Sequence, residues 1–266
     1  KPETVLVAGG GIAGLEAAII LKKRGHDPIL CEATDTLGGQ FLTAGEAPRK
    51  KEMKAAAISM AKKAERLGVD IRMNTKVTPE MIEEIKPHTV MNAIGAESII
   101  PPIPGVDKAF VKDSHDVLDG KAEATGNVVV IGGGMVGMET AEYLAEKGAK
   151  VSVLEMLPDI CSDMGTTRKI CMGEEIQKSG IIPVTSVKVT EIGDNVVIGE
   201  KDGEKVEFPC DAAVLAIGAK KRDGSALAET CYKNGIGYFE IGDAAMARRA
   251  INATREAMDA ALTFDR

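Results

Sequence analysis

The sequence contains one glycine-rich motif twice. Residues 4–18 read TVLVAGGGIAGLEAA, and residues 127–141 read NVVVIGGGMVGMETA. A separate block, Ala-Ile-Gly-Ala, recurs at the same offset, at 93–96 and again at 216–219. One short glycine motif can recur by chance, but separate blocks at one constant offset do not. The chain is therefore predicted to contain two copies of one fold.

Each copy has the pattern of a βαβ unit. The apolar, β-branched runs Thr4–Ala8 and Asn127–Ile131 predict parallel strands that are buried on both faces. The glycine-rich turn follows, then a helix that ends near Gly25 or Gly148, and then a second strand. The fold class is predicted as α/β with two Rossmann-like dinucleotide-binding domains. The other predicted elements are helices over 49–67, 79–85, 166–178 and 249–264, strands over 69–73, 89–93, 195–199, 205–208, 212–216 and 238–241, and a loop over 220–237.

The glycines and a following acid carry the predicted chemistry. A helix begins with unpaired N–H groups and the positive end of its dipole, so it suits a diphosphate. The first glycine allows a tight turn, the second lets the diphosphate approach the backbone, and the third lets helix and strand pack. Glu32 and Glu155 each lie 18 residues after the last glycine, where an acid accepts hydrogen bonds from ribose hydroxyls. The alternative is that one copy only packs. The predicted dinucleotide-binding residues are Gly9, Gly11, Ala13, Gly14, Glu32 and Ala33 in the first copy, and Gly132, Gly134, Val136, Gly137 and Glu155 in the second.

Glu155 also predicts which nicotinamide cofactor binds. A 2′-phosphate on the ribose would be repelled by this carboxylate, and NADP sites place Arg or His nearby. Residues 156–159 are Met, Leu, Pro and Asp. We therefore predict NADH over NADPH at the second copy.

Composition argues against several classes of partner. The chain of 266 residues has 33 Lys and Arg against 40 Asp and Glu, so its net charge of −7 gives no general attraction to nucleic acid or anionic lipid. The sequence holds no Trp and no apolar run near the ~18 residues that a membrane span requires. Five cysteines without a C-x-x-C pair predict no disulfide scaffold and no metal site, and favour a cytoplasmic protein.

The tandem motifs and the C-terminal block GYFEIGDAAMARRAINATREAMDAA resemble the flavoproteins with two dinucleotide-binding domains. That resemblance implies FAD at the first motif and NAD(P)H at the second. It also implies a discontinuous FAD domain, 1–107 and 223–266, with the NAD(P)H domain, 108–222, inserted in it. Asp243 would accept a hydrogen bond from a ribityl hydroxyl, Val77 would meet the adenine, and Glu139 would lie near the nicotinamide. Arg49 is either a phosphate or ribose ligand or a solvated helix start. The further site residues implied are Gly39, Gln40, Ala93, Gly95, Gly242, Arg249 and Ala250 for FAD, and Gly218 for NADH.

The block ATDTLGGQF and the residues Ala-Pro-Arg-Lys-Lys at 47–51 resemble the reductase region of the 2,4-dienoyl-CoA reductases, enoate reductases and bile-acid Δ4-3-oxo-steroid reductases. This implies a module that passes hydride from NADH to FAD and electrons on to a TIM barrel with FMN and a 4Fe–4S cluster. That barrel is not in this sequence, and the abrupt start at Lys1 fits a module cut from a longer enzyme. Hydride transfer between cofactors requires no protein acid or base, so no catalytic residue is assigned. The alternatives are an NADH oxidase or ferredoxin-type reductase, and a structural module that binds only ADP.

Overall fold

The computed structural model describes residues 1–162 and 164–265, without the side chains of Thr166, Thr167, Arg168 and Cys171. The strands of the described residues are β1 (Thr4–Ala8), β2 (Asp27–Cys31), β3 (Asp70–Arg72), β4 (Thr89–Asn92), β5 (Ala96–Ser98), β6 (Val111–Asp113), β7 (Asn127–Ile131), β8 (Lys150–Leu154), β9 (Ile182–Val184), β10 (Lys188–Ile192), β11 (Val196–Lys201), β12 (Glu204–Pro209), β13 (Ala212–Leu215), β14 (Ala219–Lys221) and β15 (Gly237–Glu240). The helices are α1 (Ile12–Lys23), α2 (Gln40–Ala44), α3 (Lys51–Arg66), α4 (Pro79–Ile85), α5 (Ser114–Leu118), α6 (Met135–Glu146), α7 (Thr166–Ser179), α8 (Ser225–Lys233) and α9 (Ala250–Thr263).

The chain divides into two compact units. Unit 1 comprises Lys1–Gly45, Lys50–Glu97 and Ala219–Arg266, and unit 2 comprises Glu46–Arg49 and Ser98–Gly218. Unit 1 is thus discontinuous, and the chain leaves it and returns.

Unit 1 is built on a five-stranded parallel sheet in the order β15-β4-β1-β2-β3. Successive side chains of the central strand β1 point to opposite faces. Val5 and Val7 pack with α1 and α9, whereas Leu6 and Ala8 pack with α4 and α8. Both faces are therefore covered, as the apolar run predicted, and the carboxyl ends of the strands meet at one edge.

Unit 2 repeats that plan, with a parallel sheet in the order β6-β13-β7-β8-β9. Val128 and Val130 of β7 pack with α6. The other face, with Val129 and Ile131, is covered by the antiparallel sheet β10-β11-β12 instead of helices. Asp202 and Gly203 join β11 to β12 with φ of 53° and 82°, the left-handed values of a tight hairpin turn.

The predicted α/β class with Rossmann-like units is confirmed, and most predicted elements lie within two residues of their observed bounds. The predicted loop over 220–237 was wrong, because it holds part of β14, all of α8 and the first residue of β15. Six further elements were not predicted: α2, α5, β5, β6, β9 and β10. Helix α3 begins at Lys51, not at Arg49, because Arg49 has a φ of 61° that a helix cannot contain.

Among the described residues, no helix combines the length and the hydropathy that a membrane span requires. The four cysteines whose side chains the structure describes are all buried: Cys31, Cys161, Cys210 and Cys231.

Candidate dinucleotide sites

The first glycine loop, residues 9–14, joins β1 to α1. A Cβ added to Gly9 would lie 2.3 Å from the Ala93 carbonyl oxygen, and one added to Gly14 would lie 1.9 Å from the Gly9 carbonyl oxygen. Gly11 differs, because no heavy atom lies within 4 Å of the position of its Cβ, and its φ of −69° suits any residue. The first and third glycines are thus required by packing, whereas the second faces open space.

The carboxylate of Glu32 lies at the first glycine loop. Its Oε2 accepts a hydrogen bond from the Gly10 amide at 2.8 Å. Its Oε1 accepts from the amide of Thr34 at 2.8 Å and from the Thr34 hydroxyl at 2.9 Å. Three donors therefore hold the acid at the edge of the loop, half-buried, with one face toward solvent.

Two further glycines border this loop. A Cβ on Gly39 would lie 3.0 Å from the Gly11 Cα, and one on Gly242 would lie 2.8 Å from the Ala13 Cβ. The predicted residues Gly11, Ala13, Gly39 and Gly242 are thus together at the start of α1. Gly242 also begins the turn that leads from β15 to α9.

The other residues predicted for the first site also belong to unit 1. Val77 is buried in the cluster that holds Ala8 and Cys31, the last residues of β1 and β2. The Gly95 carbonyl accepts from the Arg222 amide at 3.0 Å, and the Gln40 Nε2 donates to the Ala96 carbonyl at 3.3 Å. Ala33 is exposed beside Glu32, and Arg249 is the N-cap of α9, so Ala250 is its first residue.

Asp243 is held within its turn. Its Oδ1 accepts from the Arg248 amide at 3.2 Å. Burial raises the pKa of its carboxyl above the ordinary value, while that hydrogen bond and the charge of Arg248 oppose the rise. A ribityl hydroxyl that donates to this carboxylate would stabilise its charged form.

The second glycine loop, residues 132–137, has the same geometry. A Cβ on Gly132 would lie 2.4 Å from the Ala216 carbonyl oxygen, and one on Gly137 would lie 1.9 Å from the Gly132 carbonyl oxygen. Gly134 again has no heavy atom within 4 Å of that position and has a φ of −71°. Both copies therefore leave the same open space beside the second glycine.

Glu155 matches Glu32 in position and contacts. Its Oε2 accepts from the Gly133 amide at 2.7 Å, and its Oε1 accepts from the Leu157 amide at 2.7 Å. Met156 and Leu157 follow it with exposed apolar side chains. The Glu155 carboxylate and two exposed apolar side chains therefore follow one another at the carboxyl end of β8.

Three other predicted residues lie in unit 2. Val136 is exposed in the first turn of α6, and Glu139 is buried one turn later. The Gly218 carbonyl accepts from the Ile99 amide at 3.0 Å, and a Cβ on Gly218 would meet only Ile99, at 3.9 Å. Space around Gly218 is thus also open.

Arg49 contacts carboxylates of its own unit. Its guanidinium pairs with Glu142 of α6 and, at 2.9 Å, with Glu175 of α7. Burial raises the pKa of the Glu142 carboxyl, as does its hydrogen bond with Glu175, whereas the charge of Arg49 lowers it. Sequence reasoning weighed a ligand role and a helix start for Arg49, and did not consider this ion-paired group.

Ser98, Asp113 and His115 also meet in unit 2, but they do not form a nucleophilic triad. The Ser98 Oγ and the Asp113 Oδ1 both approach the same ring nitrogen of His115, Nδ1, at 3.1 and 3.3 Å. A triad requires a different ring nitrogen for each. Burial alone would raise the pKa of Asp113, but hydrogen bonds from His115 and Ser98 outweigh it and lower that pKa to about 2. Asp113 is the N-cap of α5, so the group is structural.

Both glycine loops are suited to a diphosphate. α1 and α6 begin at a glycine N-cap, with no side-chain cap and no acid in the first turn among the described residues. The amide groups of each first turn are thus left without a side-chain cap, as a diphosphate site requires. FAD and NAD(P)H fit this donor set, with the acid at the end of the second strand available to a ribose. Sequence reasoning missed the donors from Thr34 and Leu157, although each lies two residues after the acid.

Comparison with known proteins agrees with this geometry. Residues 3–245 match the family model of pyridine nucleotide-disulphide oxidoreductases. The chain is 42% identical over 220 residues to a bilirubin reductase of Mediterraneibacter gnavus, covering 83% of this chain and 34% of that protein. It is 41% identical over 254 residues to an NADH oxidase of Thermoanaerobacter brockii, covering 94% of this chain and 39% of that protein.

A solved structure shares the fold over nearly the whole chain. A 2-naphthoyl-CoA reductase superposes with a TM-score of 0.93 at 29% identity, covering 99% of this chain and 40% of that one. The chain thus spans about two fifths or less of these relatives. Proteins of the matched family bind FAD and NAD(P)H, and the matched residues include both glycine loops. The chain therefore belongs to the pyridine nucleotide-disulphide oxidoreductase family, as an NAD(P)H-dependent flavin oxidoreductase domain.

Proposed function

We propose that this chain is the reductase module of an enoate- or 2,4-dienoyl-CoA-reductase-type flavoenzyme, with FAD in unit 1 and NADH in unit 2. The observation that carries the proposal is the open space beside Gly11 and Gly134, each faced by uncapped helix amides. In a dinucleotide motif the second glycine lets the diphosphate approach the backbone, so open space at this position fits a bound dinucleotide. The likeness to a bilirubin reductase and a 2-naphthoyl-CoA reductase supports the reductase class.

The residues of this chain bind and orient the two dinucleotides. The first-turn amides of α1 and α6 would hold the diphosphates, and Glu32 and Glu155 would each accept ribose hydroxyls. Gly242 and Asp243 would hold the ribityl side of FAD. Bound FAD supplies the hydride acceptor and allows electrons to leave singly, toward an iron–sulfur and FMN barrel of the kind the resemblance implies. No side chain of this chain is assigned to the hydride transfer itself.

Colour tests the proposal directly. The protein reconstituted with FAD should be yellow. It should lose the visible absorbance of the oxidised flavin when NADH is added anaerobically. A colourless protein that retains and releases only ADP would instead identify a structural nucleotide-binding module. A yellow protein that NADH does not bleach would contradict an NADH site in unit 2.

The NADH oxidase relative supports a second candidate function, direct transfer of electrons to oxygen. The two candidates differ in the acceptor. Under the first, an artificial one-electron acceptor should be reduced much faster than oxygen. Oxygen consumption that equals the rate of NADH oxidation, with no gain from the acceptor, would favour the second.

Glu155→Arg should change the cofactor preference. The charge that repels a 2′-phosphate is lost and a phosphate partner is gained, so the ratio of kcat/KM for NADPH to that for NADH should rise about tenfold or more. NADH binding should also weaken, because the amides of Gly133 and Leu157 lose their acceptor. Steady-state flavin reduction with both cofactors measures this. Glu32→Arg, the same change in unit 1, is the control and should leave the ratio unchanged in protein that still holds FAD.

A further inference from the structure

A single carboxylate holds both ends of the turn that carries Asp243. This turn, the 242–249 loop, joins β15 to α9, and Glu256 lies two turns into α9. The Glu256 Oε2 accepts from the Gly242 amide at 3.0 Å. The Glu256 Oε1 pairs with the guanidinium of Arg248. The loop is thus closed onto the helix that follows it.

This closure determines where Asp243 lies. Asp243 follows the amide that Glu256 fixes, and its own Oδ1 accepts from the amide of Arg248, whose side chain Glu256 also binds. Within the loop, the Gly242 carbonyl accepts from the amides of Ala245 and Met246 at 2.9 and 3.1 Å. Removing the carboxylate would release the Gly242 amide and the Arg248 guanidinium from α9.

The 242–249 loop approaches the first site at the start of α1. Gly242 lies against Ala13, in the first turn of α1, so the loop borders the start of that helix. Glu32 is held by Gly10 and Thr34 and has no hydrogen bond to the 242–249 loop among those described. The ribose of the ADP half would therefore depend on Glu32, and the ribityl side of the flavin half on the 242–249 loop.

We propose that Glu256 is a positioning residue for the flavin half of FAD, which sets the Gly242 amide and the Asp243 carboxylate by closing the 242–249 loop. The proposal rests on the proposed FAD site in unit 1. Glu256 acts through the loop and touches no cofactor atom itself. Its effect is expected in binding of FAD and not in binding of ADP.

Titration of the apoprotein with FAD and with ADP tests this, in Glu256→Ala, Glu256→Gln and the control Asp259→Asn. Asp259 is an exposed acid one turn further on α9, so its change removes the same charge from the same helix. The Kd for FAD should rise about tenfold in Glu256→Ala, as when a hydrogen bond and an ion pair are lost. In Glu256→Gln it should rise about threefold, because the amide oxygen can still accept from Gly242. The Kd for ADP should stay within about twofold throughout, and Asp259→Asn should match the wild type.

The other possible results would overturn either the role of Glu256 or the proposed function. Equal FAD affinity in wild type and Glu256→Ala would overturn the role of Glu256 while leaving the FAD site intact. Parallel loss of FAD and ADP affinity in both Glu256 variants would show a general effect on folding of unit 1 and would also overturn it. A wild-type protein that binds ADP but not FAD would overturn the proposed function itself.

Discussion

Gly134→Val should abolish reduction of the flavin by NADH while unit 2 remains folded. The backbone at Gly134, with φ of −71° and ψ of −176°, accepts a side chain without strain, and the space beside it is open. A valine would occupy the volume that the diphosphate enters. The Kd for NADH should rise about a hundredfold or more, equivalent to the loss of roughly 3 kcal/mol of binding free energy. Anaerobic stopped-flow reduction at increasing NADH measures this.

Gly11→Val should have the matching effect in unit 1, with FAD lost and NADH binding retained. Gly165→Val is the control, because Gly165 is also a helix N-cap with open surroundings, at the start of α7, and no dinucleotide is proposed there. Gly165→Val carries the same small loss of stability from a β-branched N-cap, about 1 kcal/mol. Normal reduction kinetics in Gly134→Val would contradict the proposed NADH site.

Sequence reasoning predicts the parts of this protein that depend on short spacing. The glycine loops, the strands before them and the acids after them lie within one βαβ unit, so residues near in sequence are near in space. The open space at Gly11 and the tight packing at Gly14 also follow from the roles that the motif assigns to its glycines. These local signals were enough for the fold class and for both glycine loops.

Elements without strong periodicity were not predicted. Helix α8 spans nine residues and buries only Leu227 and Cys231, four residues apart, so its apolar stripe is a single pair. Strand β10 has two apolar residues among Lys, Thr and Glu, and most of its residues are exposed. In both cases tertiary packing stabilises an element whose own sequence favours it weakly.

Contacts across the fold were beyond sequence reasoning for a different reason. Glu256 meets the Gly242 amide only because α9 turns back along the loop that precedes it. Arg49 meets Glu142, far along the chain, only because both belong to unit 2. No local spacing indicates either pair. Arg49 was therefore interpreted as a ligand or as a solvated helix start.

Arg49→Ala should destabilise unit 2, and the loss should depend on pH. Breaking a fully buried ion pair costs roughly 3–5 kcal/mol. The Arg49 side chain is 54% exposed, so we expect a smaller loss, about 2 kcal/mol at pH 7. The buried Glu142 would then share its site with Glu175 without a compensating cation. Urea unfolding followed by circular dichroism measures the change, with hydrogen exchange in α6 assigning it to unit 2.

The pH dependence follows from the raised pKa of Glu142. Without Arg49 that pKa rises further, so the folded variant takes up a proton more readily than the unfolded chain does. Stability increases as pH falls wherever the folded state binds more protons. The loss of unfolding free energy in Arg49→Ala, relative to the wild type, should therefore be largest above pH 7 and should decrease toward pH 5. Adding Glu142→Gln to this variant should recover part of that free energy at pH 7. Arg72→Ala, which breaks the exposed pair with Asp70, is the control and should cost less than about 1 kcal/mol. Unchanged stability of Arg49→Ala at both pH values, together with weaker binding of a dinucleotide, would instead make Arg49 a cofactor ligand.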